Sequence, residues 1–101
     1  MKILGTKYKI KYVKSNGMND SLNYGETDRH SKEIRINTEL IKNDSQPYNY
    51  DKVLHQIERH EVFHAIFHEV GLDCYSEDET LVDCLAILYP KIEKIMNKLE
   101  S

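Results

Sequence analysis

The stretch DKVLHQIERHEVFHAIFHEV (residues 51–70) holds His60-Glu61-Val62-Phe63-His64 near its middle, and its periodicity is helical. Val53, Leu54, Ile57, Val62, Phe63, Ile66, Phe67 and Val70 recur at helical spacing and cover more than one stripe. A helix apolar on so much of its circumference belongs at the centre of a fold, between a sheet and another helix. Gly71 follows where a helix C-terminus favours a left-handed residue. On such a helix His60 and His64 stand one above the other and can offer imidazole nitrogens to one metal ion. Glu61 is turned about 100° around the axis, close to that ion but clear of the histidines, where a general base for a metal-bound water belongs. Zinc suits imidazole, and its catalytic sites keep three protein ligands and one open position.

Upstream, the pattern is that of strands. KYKIKYVK (7–14) alternates, with Tyr8, Ile10 and Tyr12 on one face, and predicts a half-buried and antiparallel strand. Ser15-Asn16-Gly17 is a turn signal. A second strand is predicted within 22–28, with a bulge at Gly25, then a tight turn at Arg29-His30-Ser31. A third covers 32–37, where Ile34 and Ile36 alternate with Glu33 and Arg35. NDSQPYN (43–49) then interrupts the chain. Downstream, a loop over 72–75 leads to Ser76-Glu77-Asp78-Glu79, which has the form of a capping box. The last helix turns Leu81, Val82, Leu85, Ala86, Leu88 and Tyr89 inward. Pro90 should kink or split it, and Ile92, Ile95, Met96 and Leu99 continue the spacing. The expected fold is one α+β domain over residues 1–101: a small, mostly antiparallel sheet of about three strands on the 51–70 helix and a C-terminal helix.

Composition narrows the function. The 101 residues carry 14 Lys plus Arg against 17 Asp plus Glu, a net charge of −3. That balance argues against a general nucleic-acid binder, which needs a strong positive field; lysines 2, 7, 9, 11, 14 and 32 read as a solvated strand face. No apolar run approaches the roughly 18–20 residues of a membrane span, and MKILGTKYKIKYVK lacks a signal-like core. The expectation is a cytoplasmic protein without membrane or nucleic-acid partners. Its two cysteines, Cys74 and Cys84, are then free thiols, with Cys84 a small core residue.

Two histidines do not complete a zinc site. His68 continues their row but lies about 12 Å along the helix from His60, too far to share one ion. The preferred third ligand is Glu79, with Glu77, Asp78 and Asp83 as competitors and Cys74 as a remote one. His30, Tyr89 and His68 are candidates for stabilising a transition state.

HEVFHAIFHEVGL, followed by EDETLVDCLAILYP, resembles the small zinc metallopeptidase domains of the ImmA/IrrE kind, in particular short phage and prophage versions. In that family a second-helix Glu stands eleven residues before a Pro that closes an apolar run; counting back from Pro90 gives Glu79. YGETDRHSKEIRIN is similar to the strand pair before the active helix of the phage relatives, so the resemblance covers roughly residues 1–90. It implies a minimal zincin-like fold, Zn2+ held by His60, His64 and Glu79, Glu61 as catalytic base, and a protein or peptide substrate. Arg59 departs from the apolar or small residue usual before the first histidine, and no further DNA-reading or sensing domain has room here. The rival expectation is a non-catalytic, zinc-stabilised interaction module that binds a host or repressor protein. Both readings share the metal ligands and differ at Glu61.

Overall fold

A computed structural model describes residues 1–101. Its elements are β1 (Lys2–Ile3), β2 (Thr6–Lys7), β3 (Lys9–Val13), β4 (Gly25–Asp28), β5 (Glu33–Asn37), α1 (Thr38–Asp44), α2 (Tyr50–Glu69), α3 (Asp73–Ser76) and α4 (Glu79–Glu100). The class is α+β, as expected. Helix α2 is central: it touches β1, β4 and β5 as well as α1, α3 and α4. Its C-terminus closes as a Schellman motif. Gly71 adopts φ +78°, the Leu72 N–H donates to the Phe67 carbonyl (2.8 Å) and the Gly71 N–H to the His68 carbonyl (3.2 Å). No helix is long and apolar enough to cross a membrane.

The sheet differs from expectation in one direction. Strand order is β3-β5-β4; β4 and β5 are antiparallel, but β3 runs parallel to β5, with Ile10 beside Ile34 and Tyr12 beside Ile36. Alternation encodes which face of a strand is buried, not which way its neighbour runs. The predicted 7–14 strand is also broken. Leu4 (φ +50°) and Gly5 (φ +87°) make the two-residue turn of a β1–β2 hairpin, which ends at Thr6–Lys7. Tyr8, between β2 and β3, is fully buried, while Tyr12 is half exposed and meets Glu58 through its hydroxyl. The hairpin is fastened to the far end of α2 by Glu69, which accepts from Thr6 Oγ1 (2.6 Å), Tyr8 Oη (2.6 Å) and Lys32 Nζ (2.8 Å). Those donors hold its carboxyl well below the usual carboxylate range.

Asn37 ends β5 and starts a helix absent from the expected elements. Its Oδ1 accepts from Leu40 N (3.0 Å), capping α1, and its Nδ2 reaches the Asn23 carbonyl (3.2 Å), tying down the connection from β3 to β4. Ile3, Tyr8, Ile34, Ile36, Ile41 and Ala65 form the buried core.

Helix α4 differs from expectation at its cap and on its buried face. The N-cap is Asp78, whose Oδ1 accepts from Leu81 N (3.0 Å), so Ser76 and Glu79 do not form a capping box. Only Val82 and Ala86 are fully buried; Leu88, Tyr89 and Cys84 are exposed. And α4 continues through Pro90 without splitting. A proline at 90 deprives the Ala86 carbonyl of its amide partner. Arg59 supplies the replacement, donating from Nε at 2.8 Å. The Arg59 side chain thus satisfies a carbonyl freed by proline and ties α2 to α4. Arg59→Met is expected to cost about 1–2 kcal/mol in urea unfolding. In a Pro90→Ala background the cost should shrink, since residue 90 then donates its own N–H; equal costs in both backgrounds would contradict this role.

Candidate metal centre

A cleft of about 920 Å³ runs between β4 with its flanking loops on one side and α2, Glu77 and the start of α4 on the other. At its floor, one helical turn aligns His60 and His64 so that their Nε2 atoms lie 3.0 Å apart. Glu79, the first residue of α4, places Oε2 3.0 Å from His60 Nε2 and Oε1 3.2 Å from His64 Nε2. His60, His64 and Glu79 form the one group of potential metal-ligating side chains whose donor atoms all converge, within 4.8 Å of one another.

The other candidate ligands do different work. Asp83, one turn beyond Glu79 on α4, accepts from His60 Nδ1 at 2.7 Å. Asp78 caps its helix. Glu77 borders the cleft but stays outside the converging set, as does exposed Cys74. His68 binds Asp73 through Nδ1 (2.7 Å) and Ser76 through Nε2 (3.0 Å). His30 and His68 border the cleft; Tyr89 does not, and lies edge-on to Phe63 instead.

The donor set fits a divalent cation. Both Nδ1 atoms are engaged, His60 by a carboxylate and His64 by the Ser76 hydroxyl at 3.0 Å, so both Nε2 atoms face the same point. Two lone pairs and a carboxylate crowded within 3.0–3.2 Å repel unless a proton or cation lies among them. Those spacings approach the roughly 3.3 Å ligand edges of a tetrahedral site with zinc bonds of about 2.0–2.1 Å. Burial also pushes the His64 imidazole below its ordinary value, favouring the neutral form a metal requires.

Glu61 is the buried charge of the site. It is 5% exposed, and apart from Ala65 it is the only fully buried residue of α2. Thr27 on β4 donates its hydroxyl to Glu61 Oε1 (2.8 Å) and lies 3.0 Å from the Glu61 carbonyl. Glu61 Oε2 is left 3.9 Å from His60 Nε2, beside the converging donors. Burial pushes the carboxyl up to about 7, against the lowering pull of the Thr27 hydrogen bond and of His60.

Gly25 makes this closeness feasible. It pairs in plain register with Ile36 and forms no bulge; a Cβ there would sit 2.7 Å from Glu61 Cγ. Gly25 and Thr27 occupy one face of β4, two small residues that let the strand approach the helix at Glu61. Alternation across 25–27 carried that signal in the sequence. Ser76 carried none, since its role exists only once α3 has folded under His64.

Comparison of the chain with family models, curated proteins and solved structures finds no match.

Proposed function

We propose that the protein is a zinc-dependent metallopeptidase of the ImmA/IrrE-like kind, hydrolysing peptide bonds in a protein or peptide substrate. The observation that carries the proposal is the convergence of His60, His64 and Glu79 beside the carboxylate of buried Glu61 at the floor of an open cleft. Zinc, when bound, supplies Lewis acidity, polarising a carbonyl and making water a nucleophile near neutral pH.

The chain's own residues would do the rest. Asp83 and Ser76 fix the two imidazole rings through their Nδ1 atoms, leaving each Nε2 as the ligating atom. Glu61 Oε2 takes a proton from water and returns it to the leaving amine. Thr27 holds the other oxygen, so the carboxylate cannot swing out of reach.

The test is hydrolysis of a denatured-protein peptide library by zinc-loaded protein, read by mass spectrometry. Metal-dependent cleavage, lost with a chelator and restored by zinc, is expected. A fully loaded protein that cleaves nothing would contradict the proposal and favour the interaction-module reading.

A further inference from the structure

We infer that Ser76, His68 and Asp73 form a positioning relay that sets the tautomer and aim of His64. The inference deepens the metallopeptidase proposal and rests on it for His64 as a ligand.

Ser76, the last residue of α3, is 3% exposed. Its Oγ lies 3.0 Å from His64 Nδ1 and 3.0 Å from His68 Nε2, with the His64 carbonyl a longer neighbour at 3.3 Å. His68 Nδ1 lies 2.7 Å from Asp73 Oδ1, and Arg29 Nη1 lies 3.3 Å from Asp73 Oδ2.

With His68 in its neutral form, counting protons gives this chain one direction. The Asp73 carboxylate only accepts, so His68 carries its proton on Nδ1. Neutral His68 then presents a bare Nε2, which accepts the single hydroxyl proton of Ser76. Having donated, Ser76 Oγ accepts from His64, whose proton is therefore on Nδ1. The Nε2 lone pair of His64 is left aimed at His60 and Glu79. A carboxylate anchored by Arg29 thus selects the ligating tautomer of His64 through His68 and Ser76.

The same three residues have the connectivity of a nucleophilic Ser-His-Asp triad, but the surroundings oppose that chemistry. Ser76 is buried and does not border the cleft. Its oxygen is occupied by His64. The backbone N–H groups of Ser76 and Glu77, which an oxyanion hole would need, already donate to the Leu72 and Asp73 carbonyls. Ser76 is a positioning residue.

The experiment combines imidazole ¹⁵N NMR on metal-free protein with zinc affinity from chelator competition. Wild type should show His64 as the Nδ1–H form. Ser76→Ala should lose that preference and weaken zinc binding about 10- to 100-fold, and Ser76→Thr should restore both. Asp73 is half exposed, so Asp73→Ala tests the far end of the relay without opening the core, and a smaller shift in the same direction is expected. A His64 Nε2–H form in wild type would overturn the relay. So would unchanged tautomer and affinity in both alanine variants, or labelling of Ser76 by a fluorophosphonate. A wild type with the Nδ1–H form but no affinity for zinc would overturn the metallopeptidase proposal while leaving the relay standing.

Discussion

Glu61→Gln is expected to abolish hydrolysis, keep zinc, and make the metal-free protein more stable at pH 8 than wild type. Loss of a positioned general base costs about 10²- to 10⁴-fold in rate. The amide retains an oxygen for the Thr27 hydroxyl and nearly the same volume against Gly25, so the site should keep its shape. The stability gain follows from the sign of the shift. The folded carboxyl titrates near 7, above its ordinary 4.5, so the folded state holds this proton more tightly than the unfolded chain. The resulting stability is full below about pH 4.5 and falls away as pH rises through 7, by up to about 3 kcal/mol. Glutamine carries no charge and avoids that loss. Urea unfolding of both proteins without metal, at pH 5 and pH 8, measures it: the variant should gain on wild type between the two. Equal pH dependence would mean that Glu61 is solvated. Hydrolysis surviving in Glu61→Gln would remove it as the base. A non-catalytic interaction module, by contrast, would keep its partner binding and its biological effect in this variant.

Removing the metal should have the second large effect. Only 12 of the 101 residues are fully buried, and the central cluster contains six of them, a small core for a chain of this length. A ligand that binds only the folded state at a hundred times its Kd adds about 2.7 kcal/mol. For a domain of about 100 residues that corresponds to roughly 10–20 °C in Tm. The site joins α2 to the start of α4, two elements otherwise linked across a half-covered helix face and by the Arg59 hydrogen bond. Chelation should therefore lower Tm by at least about 10 °C, and zinc should restore it. His64→Ala should melt near the metal-free wild type and no longer respond to zinc. A chelator with no effect on wild-type Tm would mean that the three donors hold nothing.

What could be read from the chain was what local periodicity encodes. Helix α2 was legible to within a residue at each end, because its apolar residues keep one period for five turns and Gly71 closes it. His60, Glu61 and His64 were legible as a cluster because a helix fixes their relative angles. Glu79 was favoured as an acid at the start of the next helix, a choice the resemblance also implied, and its convergence with the histidines depends on how α4 folds back, which no local pattern states.

Other features were hidden for physical reasons. The β1–β2 hairpin requires Leu4 at positive φ, a conformation its residue type does not advertise. The parallel pairing of β3 follows from the path of residues 14–24, which Asn37 at the end of β5 ties down through the Ser21 and Asn23 carbonyls. Ser76 looked like a cap because its spacing to Glu79 fits one; the α3 turn buries it against His64, and Asp78 caps instead. Cys84, Leu88 and Tyr89 carry the periodicity of a buried face, but burial needs a covering neighbour, and on this helix only Val82 and Ala86 are fully covered.

Elemental analysis of protein purified without a metal-affinity tag, with His64→Ala beside it, tests the central claim most directly. The geometry of His60, His64 and Glu79 predicts about one zinc per wild-type chain and none in the variant. Wild-type protein that contains no zinc and takes up none when offered it would contradict the metal centre, and the proposed hydrolysis with it.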